Sequence, residues 1–384
     1  MEVDVHSWSP AVGWRNLDVT TPRNSADLVL VFGGSTELDI EAPVRDLRRV
    51  YPAAQLVGCS TAGEIFDTQV SDDALVAAAI SLDLAWIRTT QIELAGHADA
   101  QAAGHALIKQ LPSENLRHVL VLSDGLHVNG SLLAEGMSAA LPEHVSVTGG
   151  LAGDGPRFLS TQVIYNDSIR SRVAVAVGFY GDAQEIGYGT LGGWDVFGPD
   201  RLIAKLSGNV LFELDGQAAL QLYKEYLGEY AKDLPSAGLL FPLHLQLPNS
   251  DERVVRTIPG VDESLQSLTF AGDVPEGSRA QLMRANFDRL VDGAIGAANA
   301  CVATKPTDCA WQLALLVSCV GRKMVLQQRV EEEVEGVREV LGPTTAMVGF
   351  HSCGEHSPLV NGAPCQLHDQ TLTITTFSET PRHE

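Results

Sequence analysis

Three stretches of the chain repeat one pattern: an apolar run, a small or polar turn, a helical segment, and a second apolar run that stops at glycines. The opening runs are Leu28 to Phe32, Val119 to Leu122 and Leu313 to Val317. Short, uninterrupted apolar runs bounded by turns are typical of buried strands. The pattern therefore predicts repeated strand-helix-strand units.

The second run of each unit ends in a similar turn. Gly58 to Glu64 and Gly349 to Glu355 both consist of glycine, four residues, glycine and glutamate, and Thr148 to Asp154 is a looser third copy. The copies lie too far apart and too irregularly for a solenoid, so we predict a duplicated core. The predicted fold class is mixed α/β, with duplicated strand-helix-strand units that form mixed sheets in two domains and a ligand crevice at the strand ends.

Helix and loop signals divide the rest of the chain. Apolar residues recur every three or four positions from 326 to 341, which predicts an amphipathic helix that ends at Gly342. Residues 74–84 and 87–94 are expected to pair as a hairpin, and residues 278–298 to form a helix. We place an N-terminal arm at 1–26, one domain at 27–210 and a second domain at 211–384.

Charge and composition limit the binding partners and the cellular compartment that we expect for the protein. The 26 basic and 48 acidic residues give a formal net charge of −22, so a nucleic acid would be repelled. The chain does not open with a basic segment followed by an apolar run, and no stretch has the length of a transmembrane helix. Six cysteines in such a chain are expected to be free thiols. We expect a cytoplasmic protein without membrane insertion.

Ser60 and two glutamates carry the catalytic interpretation. Gly58 to Ala62 nearly matches the nucleophile elbow of hydrolases, but no amphipathic helix follows it. Glu64 and Glu355 fall at equivalent points of the repeat and could act as general acid and base in one cleft, although hydrogen bonds within each turn are the simpler role. A serine or acid/base hydrolase is therefore the third hypothesis, and we expect a non-catalytic protein.

Histidine and cysteine spacing near residue 360 suggests two cofactor-based alternatives. Cys353-x-x-His356 and Cys365-x-x-His368 supply four zinc-ligand types, but the gap between them is shorter than in common zinc folds and a core of this size needs no zinc. Haem b requires an imidazole at an apolar crevice, for which His351 and His356 are the axial candidates. The motif for covalent haem attachment, Cys-x-x-Cys-His, is absent.

Several of these motifs resemble the FIST family, a two-part bacterial sensory module. They are Gly58–Glu64, Ser123–Gly125, Thr148–Asp154, Ser318–Arg322, Gly349–Glu355 and Leu367–Thr373, within a match over residues 27–375. The resemblance implies a non-catalytic signal-transduction protein with a FIST domain and a FIST C domain, for which amino acids are among the proposed ligands. A stand-alone subgroup is similar to haem-based nitric oxide sensors that act on a partner histidine kinase or cyclic-di-GMP enzyme. This sequence departs from the family pattern by carrying His351 and His356, where an aromatic and an aliphatic residue are usual.

The leading hypothesis is a cytoplasmic sensor that binds a small ligand at the strand-end turns, with haem b and nitric oxide as its most specific form. The alternative is a haem-free amino-acid sensor, in which Glu64 and Glu355 bind the amine while Arg322 and backbone amides of the turns bind the carboxylate. The candidate ligand-binding residues are Cys59, Ser60, Glu64, Gly149, Gly150, Asp154, Arg322, Gly354, Glu355 and His368.

Overall fold

Three similar α/β units and one inserted β domain make up the chain. The computed structural model describes residues 1–23, 25–34, 39–96, 99–248, 253–303 and 311–380. The predicted mixed α/β fold with repeated strand-helix-strand units is confirmed, and the repeat has three copies in space.

The first unit lies within residues 2–81. Its apolar strand β3 pairs in parallel with β4, and the helix between them, α1, buries Val44, Leu47 and Val50 against this pair. The elements of the unit are β1 (Glu2–Ser9), β2 (Gly13–Arg15), β3 (Leu28–Gly33), α1 (Glu41–Val50), β4 (Gln55–Cys59), β5 (Glu64–Phe66), β6 (Gln69–Ser71) and β7 (Leu75–Ser81).

The second unit repeats this order within residues 86–180. The parallel pair is β9 and β10, and two helices, α2 and α3, cover its outer face. The elements are β8 (Trp86–Glu93), α2 (Ala100–Lys109), β9 (Leu116–Ser123), α3 (Gly130–Ala140), β10 (Ser146–Leu151), β11 (Val163–Tyr165), β12 (Ser168–Arg170) and β13 (Val173–Tyr180).

The third unit begins with β14 (Gln184–Leu191) and is then interrupted by a β domain with its own apolar core, which we call the inserted domain (residues 195–284). The inserted domain contains β15 (Asp195–Ser207), β16 (Val210–Leu214), β17 (Gln217–Ala218), α4 (Ala219–Leu227), β18 (Leu243–Gln246), β19 (Arg253–Arg256), β20 (Gly260–Asp262), β21 (Ser267–Thr269) and β22 (Arg279–Arg284), with 3₁₀ turns at Gly228–Asp233 and Ser236–Leu239.

The third unit then resumes with the parallel pair β23 and β24. Its elements are α5 (Phe287–Ala303), β23 (Leu313–Cys319), α6 (Val320–Leu326), a 3₁₀ turn at Gln327–Arg329, α7 (Val330–Leu341), β24 (Ala346–Ser352), β25 (Glu355–Pro358), β26 (Cys365–His368) and β27 (Leu372–Glu379). The amphipathic helix predicted for 326–341 is present as α7, and α6 ends just before it.

The three units are locked together by an exchange of short strands. After its parallel pair, each unit sends one strand to the sheet of another unit: β5 pairs with β24, β25 pairs with β10, and β11 pairs with β4. The first unit thus donates to the third, the third to the second, and the second to the first. The three sheets therefore form a closed ring with approximate three-fold symmetry.

The sheets of this ring face one central core and carry their helices outside. Alternate residues of β3 show the arrangement, since Leu30 and Phe32 enter the central core while Val29 and Val31 pack under α1. Phe32 stacks on Phe350 of the third unit with ring centroids 4.7 Å apart. Because both faces of these strands are covered, their sequences are apolar without alternation.

A glycine at the same point of each returning strand allows the parallel pair to approach closely. A Cβ atom added to Gly58, Gly149 or Gly349 would lie 1.9, 1.8 or 2.0 Å from the carbonyl oxygen of Val31, Val121 or Leu316, respectively. These three glycines are therefore equivalent. When the three turns are aligned on these glycines, Gly155, and not Asp154, occupies the position of Glu64 and Glu355. This difference explains why the third copy of the motif matches the other two less closely.

Two local predictions are wrong. The strand at 86–93 does not form a hairpin with β7, because β8 pairs with β13 in the sheet of the second unit. The segment predicted as a helix from 278 to 298 begins as strand β22 and becomes helical only at Phe287. The alternation of Ala280, Leu282 and neighbouring polar residues places that strand across the inserted domain.

Strands of the fold lie in the predicted N-terminal arm and at the predicted domain border. The segment 1–26, predicted as an arm, contains β1 and β2, which extend the first sheet, and the border at 210 lies at the start of β16 in the inserted domain. Cys309 lies outside the described residues, and the other five cysteines are free thiols. Within the described residues, no helix combines the length and apolar character needed to cross a membrane.

Candidate functional site

The three glycine turns meet at the carboxyl ends of the parallel pairs and close the ring there. Each turn donates one backbone hydrogen bond to the next turn, so the three bonds form a cycle. The donors are the amides of Ala62, Gly153 and Cys353, and the acceptors are the carbonyl groups of His351, Ser60 and Leu151, at 2.8, 2.9 and 3.2 Å. The repeated motif thus has a structural role that holds the units together.

Ser60 is part of this closure. Its side chain is 3% exposed, its Oγ donates to the carbonyl oxygen of Gly153 at 2.8 Å, and the amide of Gln162 donates to the same Oγ at 2.9 Å. The chain continues into strand β5 rather than into a helix, so the geometry of a nucleophile elbow is not formed. Neighbouring Cys59 lies in the central core, where burial raises the pKa of its thiol.

Glu64 is bound within its own turn. The Thr61 hydroxyl donates to its Oε1 at 2.5 Å, and the amide of Ala74 donates to its Oε2 at 3.2 Å. Burial raises the pKa of Glu64 to about 8, although these hydrogen bonds oppose the shift. The carboxyl group is therefore mostly protonated at neutral pH.

Glu355 makes the same contacts in the third unit. The Ser352 hydroxyl donates to its Oε1 at 2.5 Å, and the hydroxyl of Thr371 donates to its Oε2 at 2.7 Å. Burial also raises the pKa of Glu355 to about 8. Both acids therefore tie a turn to the strand that follows it, which is the simpler of the two roles considered for them.

Asp154 organises the loop that follows the second turn. Its carboxylate accepts from Arg157 Nη2 at 2.7 Å and from the amides of Leu159 and Ser160, each at 3.1 Å. Burial alone would raise the pKa of Asp154, but the hydrogen bonds from Arg157, Ser160 and Leu159 outweigh it and leave the pKa below its ordinary value. We call residues 155–160 the Arg157 loop.

The other glycine candidates lie where a larger side chain would not fit. Besides the close approach of Gly149, a Cβ atom at Gly150 would lie 2.6 Å from a methyl group of Val317, and one at Gly354 would lie 3.0 Å from Leu367. These positions allow the turns to pack against the core.

Arg322 does not face the turns. Its side chain is fully buried, its Nη2 lies 2.7 Å from Oε1 of Glu333, and the guanidinium also donates to the carbonyl groups of Leu290 and Gly192. Burial raises the pKa of Glu333, although Arg322 favours the charged form of that carboxyl. This pair joins α6 and α7 to the start of α5, so Arg322 is engaged in the fold.

Both predicted axial histidines are buried, and each has a ring nitrogen near a backbone carbonyl oxygen. His351 is 1% exposed with Nδ1 directed at the carbonyl oxygen of Gly63 at 3.4 Å, and His356 is fully buried with Nε2 3.0 Å from the carbonyl oxygen of Gly130. Burial lowers their pKa values to about 3 and about 4, respectively. An axial ligand must present a ring nitrogen to the haem iron. Haem binding through either histidine stays a prediction.

The four zinc-ligand candidates lie on or next to the paired strands β25 and β26. His368 Nε2 lies 2.9 Å from the carbonyl oxygen of Ser357, and Cys365 lies in the core under α3. In the part of the chain that the structure describes, no group of three or more His, Cys, Asp and Glu side chains is arranged to hold a metal ion. Cys353 differs from the other candidates because it is partly exposed and lines a cavity.

That cavity lies where the second and third turns face the inserted domain, and we call it the junction cavity. Its volume is about 480 Å³. The ring contributes Gly125, Leu126, Val128, Leu151, Pro156, Arg157, Phe158, Met324 and Cys353, and the inserted domain contributes Pro235, Leu239, Pro259 and Ala271. Burial raises the pKa of the Cys353 thiol to about 12, so the thiol is neutral at physiological pH.

None of the predicted ligand-binding residues lines this cavity, although Cys353, predicted as a metal ligand, does. Arg157 and Phe158 lie in the Arg157 loop, which makes the second turn longer than the other two, and the inserted-domain residues are distant along the chain. The extra length between Gly153 and β11 is the signal in the sequence that could have indicated the loop.

A second pocket lies on the other side of the Arg157 loop and has a different character. It has a volume of about 80 Å³ and is lined by Glu64, Asp72, Asp73 and Arg157, among others. Lys323 donates to the carbonyl oxygen of Ala62 at 2.8 Å and pairs with Asp72, which partly neutralises this pocket. Glu355 lines neither this pocket nor the junction cavity.

Other depressions lie away from the turns. One of about 760 Å³ separates α1 from β12, but Arg48 there is already held by Asp167 at 3.1 Å and Asn166 at 3.1 Å. Another of about 400 Å³ lies at the opposite end of the ring beside Arg117 and Tyr188. Unlike these depressions, the junction cavity combines the predicted turns with two structural bodies.

Comparisons with known proteins agree with the resemblance seen in the motifs. A family model described as FIST N domain matches residues 27–217, and one described as FIST C domain matches residues 219–358. No curated protein matches the chain. Among solved structures, a cyanuric acid hydrolase from A. caulinodans is similar over 78% of this chain and 100% of that chain, with 11% identity and a TM-score of 0.19. A TM-score this low says nothing about function.

Proposed function

The chain belongs to the FIST family of signal-transduction sensory domains, and on that premise we propose that it is a non-catalytic sensor whose small ligand binds in the junction cavity. One observation carries the proposal: the walls of the cavity come from two bodies, the ring and the inserted domain. A ligand that contacts both bodies stabilises the arrangement in which its contacts are complete. Binding can therefore be converted into a change in how the inserted domain sits on the ring.

Polar contacts around the cavity supply a means of transmitting that change. Arg256 of the inserted domain donates to the carbonyl oxygen of Leu367 at 3.1 Å and lies 3.9 Å from Asp369. On the ring side, Gln370 Nε2 donates at 3.0 Å to the carbonyl oxygen of Leu239, which itself lines the cavity. A small displacement of the inserted domain would break these contacts together.

The catalytic alternative receives less support from the site. Ser60 is buried in the ring closure, and Glu64 and Glu355 are each occupied in a separate turn. The receiver of the signal stays a prediction from the family resemblance, which favours a partner histidine kinase or cyclic-di-GMP enzyme.

The haem and amino-acid versions of the sensor hypothesis require side chains that are engaged in other contacts in the fold. A haem sensor would need an accessible imidazole, and an amino-acid sensor in the predicted form would need Arg322 to face the ligand beside Glu64 and Glu355. We therefore base the proposal on the junction cavity and not on those residues.

A cavity-filling variant tests the proposal. Ala271→Trp places an indole in the cavity, and Leu265→Trp, at a position 60% exposed on the same inserted domain, is the matched control. A mixed panel of acids, amines, amino acids, nucleosides, neutral amides and haem would be screened by thermal shift. The proposal expects at least one compound that stabilises the wild type and Leu265→Trp but not Ala271→Trp. Stabilisation that is equally strong in Ala271→Trp for every active compound would contradict it.

A further inference from the structure

The walls of the junction cavity are mostly apolar, which restricts the ligand provided that the proposed function holds. Leucine, valine, methionine, proline and phenylalanine side chains line it, from Leu126 and Val128 on the ring to Leu239 on the inserted domain. The Cys353 thiol adds little polarity, because burial raises its pKa to about 12 and keeps it neutral. Burying hydrocarbon against such walls is favourable by about 25 cal/mol per Å².

Backbone amides around the cavity are already engaged in hydrogen bonds within the fold. The amide of Gly125 donates to the Thr161 hydroxyl at 3.1 Å, and the amide of Leu126 donates to the Asp124 carboxylate at 2.8 Å. The amides of Leu151, Ala271 and Cys353 donate to the carbonyl groups of Gly354, Thr257 and Leu151 at 2.9, 3.0 and 3.2 Å, respectively. A ligand oxygen would have to compete with these partners.

Prolines remove further donors from the lining. Pro156 on the ring and Pro235 and Pro259 on the inserted domain have no backbone N–H group. The carbonyl oxygen of Leu239, a possible acceptor, already receives a hydrogen bond from Gln370 Nε2 at 3.0 Å. Both bodies therefore offer the cavity few backbone groups that could replace the hydrogen bonds a polar ligand makes with water.

The charge of Arg157 is not assigned to the cavity. This residue lines the junction cavity and also the smaller pocket beside Glu64, and its Nη2 donates to Asp154 at 2.7 Å within the same loop. The apolar side chains and the engaged amides are present whichever of the two spaces the guanidinium faces. We therefore give the ligand no contact with Arg157.

We propose that the junction cavity binds a predominantly apolar molecule, a hydrocarbon chain or ring system with at most one polar head group. A polar group that enters such a site without a new partner costs about 1–3 kcal/mol. Sugars and nucleosides carry several hydroxyl groups, and free amino acids carry two charges, so these classes are disfavoured. A molecule with a long apolar part gains from the walls and can leave its head group at the opening.

A series of linear alcohols tests the proposal in the wild type. Nile red, a neutral apolar dye, serves as the fluorescent probe, and 1-butanol, 1-hexanol and 1-octanol compete for its site. The affinity should rise about fourfold for each added methylene, as expected for burial of a CH₂ group. The matched compound 1,8-octanediol would bury a second hydroxyl and should bind about tenfold more weakly than 1-octanol.

Three results would overturn the ligand class. They are an affinity that does not rise with chain length, equal affinities for 1-octanol and 1,8-octanediol, and displacement of the dye by free leucine at a lower concentration than by 1-octanol. Absence of saturable Nile red binding to the wild type would also contradict an apolar ligand.

A change of one wall residue sharpens the test. Leu126→Asn replaces an apolar side chain of the cavity by a polar one of similar size, so the affinity for 1-octanol relative to 1,8-octanediol should fall at least about threefold. Leu265→Asn, at a position 60% exposed on the inserted domain, is the matched control and should leave this ratio unchanged. An unchanged ratio in Leu126→Asn would show that the apolar wall does not select the ligand.

The outcomes separate this inference from the proposed function. Dye binding that is lost in Ala271→Trp but shows no dependence on chain length would keep the cavity as the ligand site and reject the ligand class. Binding of the dye and of all competitors that is unaffected by Ala271→Trp would reject both.

Discussion

Replacing Glu355 by glutamine should change how the stability of the protein depends on pH. In the wild type, burial raises the pKa of this carboxyl from an ordinary value of 4.5 to about 8. Above the ordinary value the unfolded chain releases the proton while the folded protein keeps it. The contribution of Glu355 to stability is therefore complete at low pH and is lost as the pH rises towards about 8.

The size of the effect follows from the shift. Each unit of pH between the two pKa values lowers the free energy of unfolding by about 1.4 kcal/mol. Glu355→Gln cannot ionise, and its amide can accept from Thr371 and donate to the Ser352 hydroxyl in place of the protonated acid. From about pH 5.5 to 7.5 the variant should gain about 2.5 kcal/mol relative to the wild type.

Urea unfolding followed by tryptophan fluorescence at several pH values measures this difference directly. Asp154→Asn is the control, because the pKa of Asp154 is lowered in the folded protein and both states are ionised throughout this range. The difference between Asp154→Asn and the wild type should therefore stay constant. If the difference between Glu355→Gln and the wild type is also constant, the carboxyl is ionised in the fold and our reasoning on its turn is refuted.

Three further substitutions test the ring and its junction. Gly149→Ala should lower the free energy of unfolding by at least about 3 kcal/mol, because its Cβ would lie 1.8 Å from a carbonyl oxygen. Gly155→Ala, with open space around it at φ +59°, should lower it by only about 1 kcal/mol, and equal losses in urea unfolding would contradict the close-approach argument. Ser60→Ala should lose about 1–2 kcal/mol of stability and leave ligand binding nearly intact, while loss of an esterase activity, measured on a broad ester panel, would restore the hydrolase hypothesis. Arg256→Met leaves Asp369 buried without its cation, which should destabilise the attachment of the inserted domain by about 3 kcal/mol. Limited proteolysis should then cut faster within residues 195–284. Unchanged cleavage would show that Arg256 does not stabilise the junction.

The sequence predicted those parts of the fold that have a signal within a short stretch of chain. Uninterrupted apolar runs such as Leu28 to Phe32 identified buried strands, and the glycine turns beginning at 58 and 349 marked the ends of the returning strands. The exchange of strands had no such signal. Strands as short as Glu64–Phe66 and Val163–Tyr165 contain too few residues for an apolar pattern to specify which sheet they join.

The residues that line the junction cavity could not be predicted from the sequence, for a related reason. Polar residues at the strand ends looked like ligand contacts, yet a closed ring buries these ends and must satisfy every polar group there. Ser60 and Glu355 meet that requirement with partners inside the turns. Only contacts between distant segments, such as Arg157 opposite Leu239, create a cavity, and a pattern along the chain does not reveal them.

The approximate three-fold symmetry explains why the ligand site is expected at one turn and not at all three. The cyclic hydrogen bonds make the turns of the ring equivalent, so the repeated residues serve closure in every unit. Specificity must then come from segments that are not repeated. The Arg157 loop occurs after the second turn, the inserted domain interrupts the third unit, and the two meet at the junction cavity. We propose that the ring acts as a rigid frame and that the ligand binds where the three-fold symmetry is broken.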